Sequence, residues 1–176
     1  MNLKSIQETL LPHLLKNNFA AEIFKNLDKK KISVKGFAGS AHSIFTAELF
    51  LTQKKNVFFL VDDKEEALYI TTELEELFGK ENVLYFPQTH LEPYQIEKTQ
   101  NANLVLRTEV LNKILSEKSP KVIISPMLAI AEKVIKKEDF SAISHTLKVG
   151  DKLDFDFVDE LLNHYQFLPA DFVSEP

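Results

Sequence analysis

The residues Gly36-Phe37-Ala38-Gly39-Ser40-Ala41-His42-Ser43 fall on the spacing of a phosphate-binding loop, G-x-x-x-x-G-K-[ST]. Such a loop holds phosphates on backbone N–H groups, sets a lysine against the outer phosphates and offers a hydroxyl to magnesium. In this register Gly36 takes the first glycine, Ala41 the second, His42 the lysine and Ser43 the hydroxyl. Histidine is shorter than lysine and, at its ordinary pKa, mostly neutral at pH 7, so it does not replace that point charge. Ala41 adds a methyl where the backbone has to approach phosphate closely. The segment therefore reads as a disabled nucleotide frame or a plain strand-to-helix turn, at which free N–H groups would still attract anions.

Other chemistry-bearing residues are sparse. His13, His42, His90, His145 and His164 are dispersed without the spacing of a metal site. The absence of cysteine rules out a disulfide framework, a thiolate metal site and a cysteine nucleophile. No metal ligand set and no catalytic residue is expected. Asp154, Asp156, Asp159 and Glu160 make an acidic flank, either a solvated helix face or a docking surface for a basic partner. Pro93 and Tyr94 lie in a connector between a strand and a helix, and Arg107 on that helix is the single arginine among 20 lysines. A planar guanidinium kept in such company points to a salt bridge that holds the connector down.

The elements that would position these groups alternate in type. Ser5-Ile6-Gln7-Glu8 is a capping box ahead of Leu10, Leu11, Leu14 and Leu15, interrupted by Pro12. A second helix over 18–27 buries Phe19, Ile23 and Phe24, and Ile32 and Val34 form a first strand entering the glycine loop. A helix over 41–52 follows. The continuous apolar run Val57–Val61 predicts a strand covered on both faces in a parallel sheet. Asp62-Asp63 caps the next helix, whose apolar face repeats at Ala67, Ile70, Thr71, Leu74, Leu77 and Phe78, and Gly79 ends it. Val83–Phe86 is a third strand, 101–115 a helix, Val122–Ile124 a fourth strand and 127–135 a short helix. That alternation argues an α/β fold with a parallel sheet. After residue 138 the texture changes: a strand at 145–149, a helix with Phe157, Leu161 and Tyr165, and an extended piece at Phe172-Val173. We expect one domain over 1–138 and the first part of a small α+β domain over 139–176.

Composition narrows the class. A hydrophobic share of 44% with 27% charged residues fits a soluble globular chain, and no apolar run approaches the ~20 residues of a membrane span. No secretory signal opens the chain, so a cytoplasmic location is expected. Charge is uneven, +4 over residues 1–35 and −6 over 151–176 within a net −5. No concentrated basic face of the kind a duplex-DNA binder carries is present.

The order of these pieces resembles the N-terminal, UvrB-like module of the bacterial transcription-repair coupling factors (Mfd). The family's L-x-G-x-x-G-S-A-x-x-x-L-x-A-E-L turn is matched by Gly36, Gly39, Ser40, Ala41, Ala47, Glu48 and Leu49. Its buried strand ending in an acid and its E-A-L helix correspond to Val57–Asp63 and Glu66-Ala67-Leu68. Its F-P-x-x-E-x-L-P-Y-D segment is matched loosely by Phe86–Gln95. Arg107 and Leu111 fit R-x-x-x-L, Val122–Leu128 fits a strand ending in V/S-P, and Val149-Gly150-Asp151 leads into the second domain. The excinuclease UvrB itself keeps the lysine of the loop and a long aromatic hairpin, where this chain has His42 and a short connector.

The resemblance implies a degenerate RecA-like domain (UvrB domain 1a-like) followed by the start of a UvrB domain 2-like region that docks UvrA, with the family's G-E-[FY]-x-x-R-G segment lying beyond Pro176. It implies a non-catalytic scaffold with no cofactor of its own. ATP and magnesium would belong to a separate C-terminal DNA translocase of the parent, which displaces stalled RNA polymerase in nucleotide excision repair. The rival readings are an atypical P-loop ATPase related to the excinuclease UvrB, using Ser43 with a lysine from elsewhere, and a self-contained α/β regulatory domain.

Overall fold

A computed structural model describes residues 23–25, 27, 31–89, 97–143, 149–150, 152, 154–164 and 167, with backbone alone at 97–101, 141–143 and 164. The described elements are α1 (Ala41–Gln53), β1 (Val57–Val61), α2 (Lys64–Phe78), a 3-10 turn (Lys80–Asn82), β2 (Val83–Tyr85), α3 (Glu97–Ser116), β3 (Val122–Pro126), α4 (Met127–Ala131), α5 (Lys137–Ile143) and α6 (Phe155–His164). The fold is α/β around a small, open, parallel sheet in the order β1-β3-β2. β3 pairs in register with both neighbours, Phe59 and Tyr85 each opposite Ile124.

Two connections of opposite direction build this order. β1 to β2 steps across the place β3 will take, and β2 to β3 steps back. Right-handed crossovers running in opposite directions place their helices on opposite faces. Two separate cores result. On one face Ala47 and Phe50 of α1 and Ala67, Ile70, Leu74, Leu77 and Phe78 of α2 pack on Val61, Val83, Val122 and Ile124. On the other, Val110 of α3 and Ala129 of α4 pack on Leu84, Phe86 and Ile123. Period-two alternation in β2 and β3 feeds both cores at once.

Local signals account for the ends of α2. Asp63 lies in extended conformation and its carboxylate accepts from the Glu66 N–H at 2.8 Å, with Glu65 and Glu66 in the first turn. Gly79 closes the helix at φ 92°, ψ 148°, a region open almost only to glycine. An added Cβ there would also meet the Glu81 carboxylate at 2.5–2.7 Å. Gly79→Ala is therefore expected to cost about 1–3 kcal/mol in urea unfolding; a change below about 0.5 kcal/mol would contradict the backbone argument.

Several expectations are corrected. Residues 31–38 have no regular structure, so Ile32 and Val34 do not form a strand and the glycine loop is not fed by one. Two alternating apolar residues beside Lys31 and Lys35 bury too little to hold a place in the sheet, and Ile32 is exposed. β1 is not covered on both faces: among the described residues it is an edge strand, with Phe58 52% and Leu60 45% exposed. α3 and α4 cover the second face only over β2 and β3. α3 begins at Glu97, four residues before the expected start at 101, and α4 ends at Ala131 rather than 135. Val149 lies in a turn rather than a strand. The capping box at Ser5, Pro12, Phe19, Pro93, Tyr94, the rest of the strand expected at 145–149 and Phe172-Val173 lie outside the described residues.

The chain divides into two units, Met1–Lys133 and Val134–Pro176. A boundary at 138/139 would cut through α5, a short helix without a periodic apolar signal in the sequence. Among the described residues, no helix is long and apolar enough to cross a membrane.

Candidate functional site

The glycine loop is shaped by two glycines. Gly36 and Gly39 have φ of 92° and 55°, left-handed values that favour glycine. No heavy atom lies within 4 Å of a Cβ placed on either, so the loop surface is open there. Residues 39–40 turn, Ala41 N–H bonds to the Ala38 carbonyl at 3.3 Å, and α1 begins. His42 packs on an aromatic neighbour. Its ring lies edge-on to Phe37, centroids 4.9 Å apart, and Phe37 in turn meets Phe45 at 5.2 Å. The position where the pattern has lysine is thus part of an aromatic cluster that extends to Phe24.

Ser43 is 1% exposed, and its hydroxyl donates to Oε2 of Glu73 on α2. The Ser40 hydroxyl donates to Oε1 of the same carboxylate. Although Ser40 is the N-cap of α1, it makes no capping bond to its own helix, and α1 has no acid in its first turn. Burial works against the charge on Glu73, yet the bonds from Ser40, Ser43 and Tyr69 outweigh it and hold the carboxyl below the usual value of 4.5. A group depressed in the folded state contributes stability above its unfolded pKa, and that stability is lost as pH falls through the folded value. The melting temperature of the protein should therefore exceed that of Glu73→Gln at neutral pH, and the gap should close below the carboxylate range. A gap constant from pH 7 to pH 3 (span chosen to bracket ordinary carboxylates) would refute this.

A second locus lies at the carboxyl ends of β2 and β3, where ligands of open α/β sheets commonly bind. Each residue from Phe86 to Thr89 is clamped. Phe86 N–H bonds to the Ile124 carbonyl at 2.8 Å and its own carbonyl accepts from Ser125 Oγ at 3.0 Å. Arg107 Nη1 donates to the Pro87 carbonyl at 2.8 Å and the Ala129 carbonyl at 3.1 Å, while the guanidinium lies 4.1 Å over the Phe86 ring. Asn103 donates to the Gln88 carbonyl at 2.9 Å, and Thr89 donates N–H and Oγ1 to Glu132 at 2.6–3.0 Å. Arg107 and Glu132 form an ion pair at 3.1 Å with side chains 5% and 8% exposed. Burial lowers the Arg107 pKa, and the Glu132 charge works in the opposite direction. A cleft of about 510 Å³ lined by Gln88, Thr89, Leu128, Ala131, Glu132 and Lys133 opens beside this pair.

Of the residues singled out in the sequence, the fold joins Gly36, Gly39, Ala41, His42 and Ser43 in one loop and sets Arg107 in the second locus. Asp154, Asp156, Asp159 and Glu160 are exposed at the start of α6 in the other unit, with Phe155 and Phe157 exposed beside them. The Asp156 N–H bonds to Asp154 and Asn163 to Asp159, at 3.1 and 3.2 Å. Glu73 and Glu132 carry no mark in the sequence: each is one acid among many on a helix or just after one, and only the partner across the fold sets it apart. The lone Arg107 is the one hint that a buried acid exists. Among the described residues no cluster of three or more His, Cys, Asp or Glu could hold a metal ion.

Comparison with known proteins finds the transcription-repair-coupling factor of Bacillus subtilis (strain 168), 25% identical over 141 residues, or 80% of this chain and 12% of that protein. The corresponding protein of Rickettsia bellii is 31% identical over 107 residues, 60% of this chain and 10% of its own length. That of Rickettsia typhi is 28% identical over 126 residues, 71% and 11% of the two chains. The chain is similar to one stretch of the transcription-repair-coupling factors. It spans about a tenth of the length of these coupling factors. No family model matches the sequence, and no solved structure matches the fold.

Proposed function

We propose that this chain is a non-catalytic scaffold and partner-docking module of a transcription-repair coupling factor. The observation that carries this reading is the similarity of 60–80% of the chain to one short stretch of several such factors. On this reading the first unit is a RecA-like domain with a degenerate phosphate loop, and it supplies a rigid platform rather than chemistry. His42 stands where lysine would neutralise a transferring phosphoryl group, and a positioned cation is central to that reaction. The second unit begins the surface that docks UvrA, and Asp154, Asp156, Asp159 and Glu160 present the charge a basic partner surface would meet. ATP and magnesium serve a motor elsewhere in the parent protein, and RNA polymerase and DNA are engaged through its other parts.

Capture of purified UvrA on the immobilised chain tests docking. Binding is expected from a chain extended by a further ~50 residues, enough to complete a small domain, and weakened on the order of tenfold when the four acids are replaced together by Asn or Gln; no capture of micromolar UvrA by the extended form would sink the proposal. Calorimetry with ATP and magnesium separates the rival ATPase reading. No saturable heat is expected, whereas micromolar binding abolished by Ser43→Ala would replace the scaffold with an enzyme.

A further inference from the structure

The loop at Gly36–Ser43 is not an empty frame. Its two hydroxyl donors are both spent, Ser40 on one oxygen of Glu73 and Ser43 on the other. Ser43 is fully enclosed at 1% exposure, so its hydroxyl has no route to solvent while the carboxylate is seated. Ser40 gives up the capping role that an N-terminal serine ordinarily fills, and no acid in the first turn of α1 takes its place. The carboxylate arrives from 30 and 33 residues away, on a different helix. A half-buried acid inside a helix has no local reason to select two serines at the head of another helix.

We infer that Glu73 is an internal anion that latches the loop shut against phosphate. It takes in cis the hydroxyl that a nucleotide site would use, and it places a negative charge where a phosphate would have to come. With His42 turned onto Phe37, no lysine or arginine stands within the loop to offset that repulsion. Loss of the lysine alone would leave a weak anion site at the start of α1; the latch removes even that. It also fastens α1 to α2 across the face they share, so the former site serves as a structural joint. The inference rests on the reading of Gly36–Ser43 as a former phosphate loop and is independent of what the second unit docks.

The test is calorimetric titration of inorganic phosphate into the unaltered protein, Glu73→Gln, Glu73→Ala and Glu73→Ala with Ser43→Ala. Ala and Gln are both good helix formers at a half-exposed position. The unaltered protein should show no saturable uptake. Both single variants should bind phosphate on the order of tenfold tighter or more, the change expected from removing a like charge at close range in a partly exposed site, and the double variant should lose that gain. Equal uptake by all four proteins, or a gain that survives Ser43→Ala, overturns the inference. Loss of cooperative melting in both single variants also overturns it, since Glu73 would then be a requirement of the fold and not a latch. UvrA capture by the single variants should be unchanged, so failure of the latch and failure of the docking proposal are read separately.

Discussion

Arg107→Ala is expected to destabilise the first unit by about 3–5 kcal/mol, because it strands the Glu132 carboxylate in a buried setting. Thr89 still donates two groups to that carboxylate, which keeps the loss within this range rather than above it. The truncation also releases the Pro87 and Ala129 carbonyls and uncovers the Phe86 ring. For a chain of this size the melting temperature should fall by roughly 10 °C. Arg107→Lys should recover only part of the loss, since an ammonium does not reproduce the planar guanidinium that lies over the Phe86 ring. Arg107→Met with Glu132→Gln should be less destabilised than Arg107→Ala alone, because no unpaired charge remains buried. An unchanged melting temperature in Arg107→Ala accompanied by loss of partner capture would show that the arginine serves docking instead.

The second large effect is expected at Leu74. Its side chain is 0% exposed, in the core that α1 and α2 build on the sheet. Leu74→Ala should cost about 2–5 kcal/mol through lost burial and the cavity left behind. Tyr69 lies on the same helix but is 58% exposed, and Tyr69→Ala should stay near the small effects of surface positions, apart from its bond to Glu73. Urea unfolding would read both as a shift in midpoint with an unchanged slope. Equal losses at the two positions would contradict the assigned face of α2.

The contrast between these residues shows where the sequence was legible. Leu74 and its partners repeat at helical spacing, so α2, its Asp63 cap and its Gly79 stop could be placed from residue types alone. β1 and β3 were legible as apolar runs, and their alternation with helices as a parallel α/β fold. What failed were statements about coverage and partners. Phe58 and Leu60 look as buried as Phe59 when read as a string, because nothing in a run of five apolar residues says how many helices lie over each face. Ile32 and Val34 have strand chemistry, yet β3, 88 residues further along the chain from Val34, is flanked by β1 and β2 instead. Glu73 was invisible because its role comes from two serines on another helix. His42 was legible only as a missing charge; its seat against Phe37 required the fold.

The position of β3 has a consequence for how the protein is made. The strand synthesised last of the three sits in the middle, and among the described residues β1 and β2 each pair only with it. On a ribosome adding about 5–20 residues per second, roughly 3–13 s separate the emergence of Val61 from that of Pro126. For that interval Val57-Phe58-Phe59-Leu60-Val61 has no sheet partner, and an uncharged run of this composition readily pairs with copies of itself. Lys54-Lys55, separated from it by Asn56, and Asp62-Asp63-Lys64 immediately after place charge at both ends of the run. Those flanking charges oppose stacking of one nascent chain on another, so the residues that bound β1 in the folded protein also guard it before the fold exists.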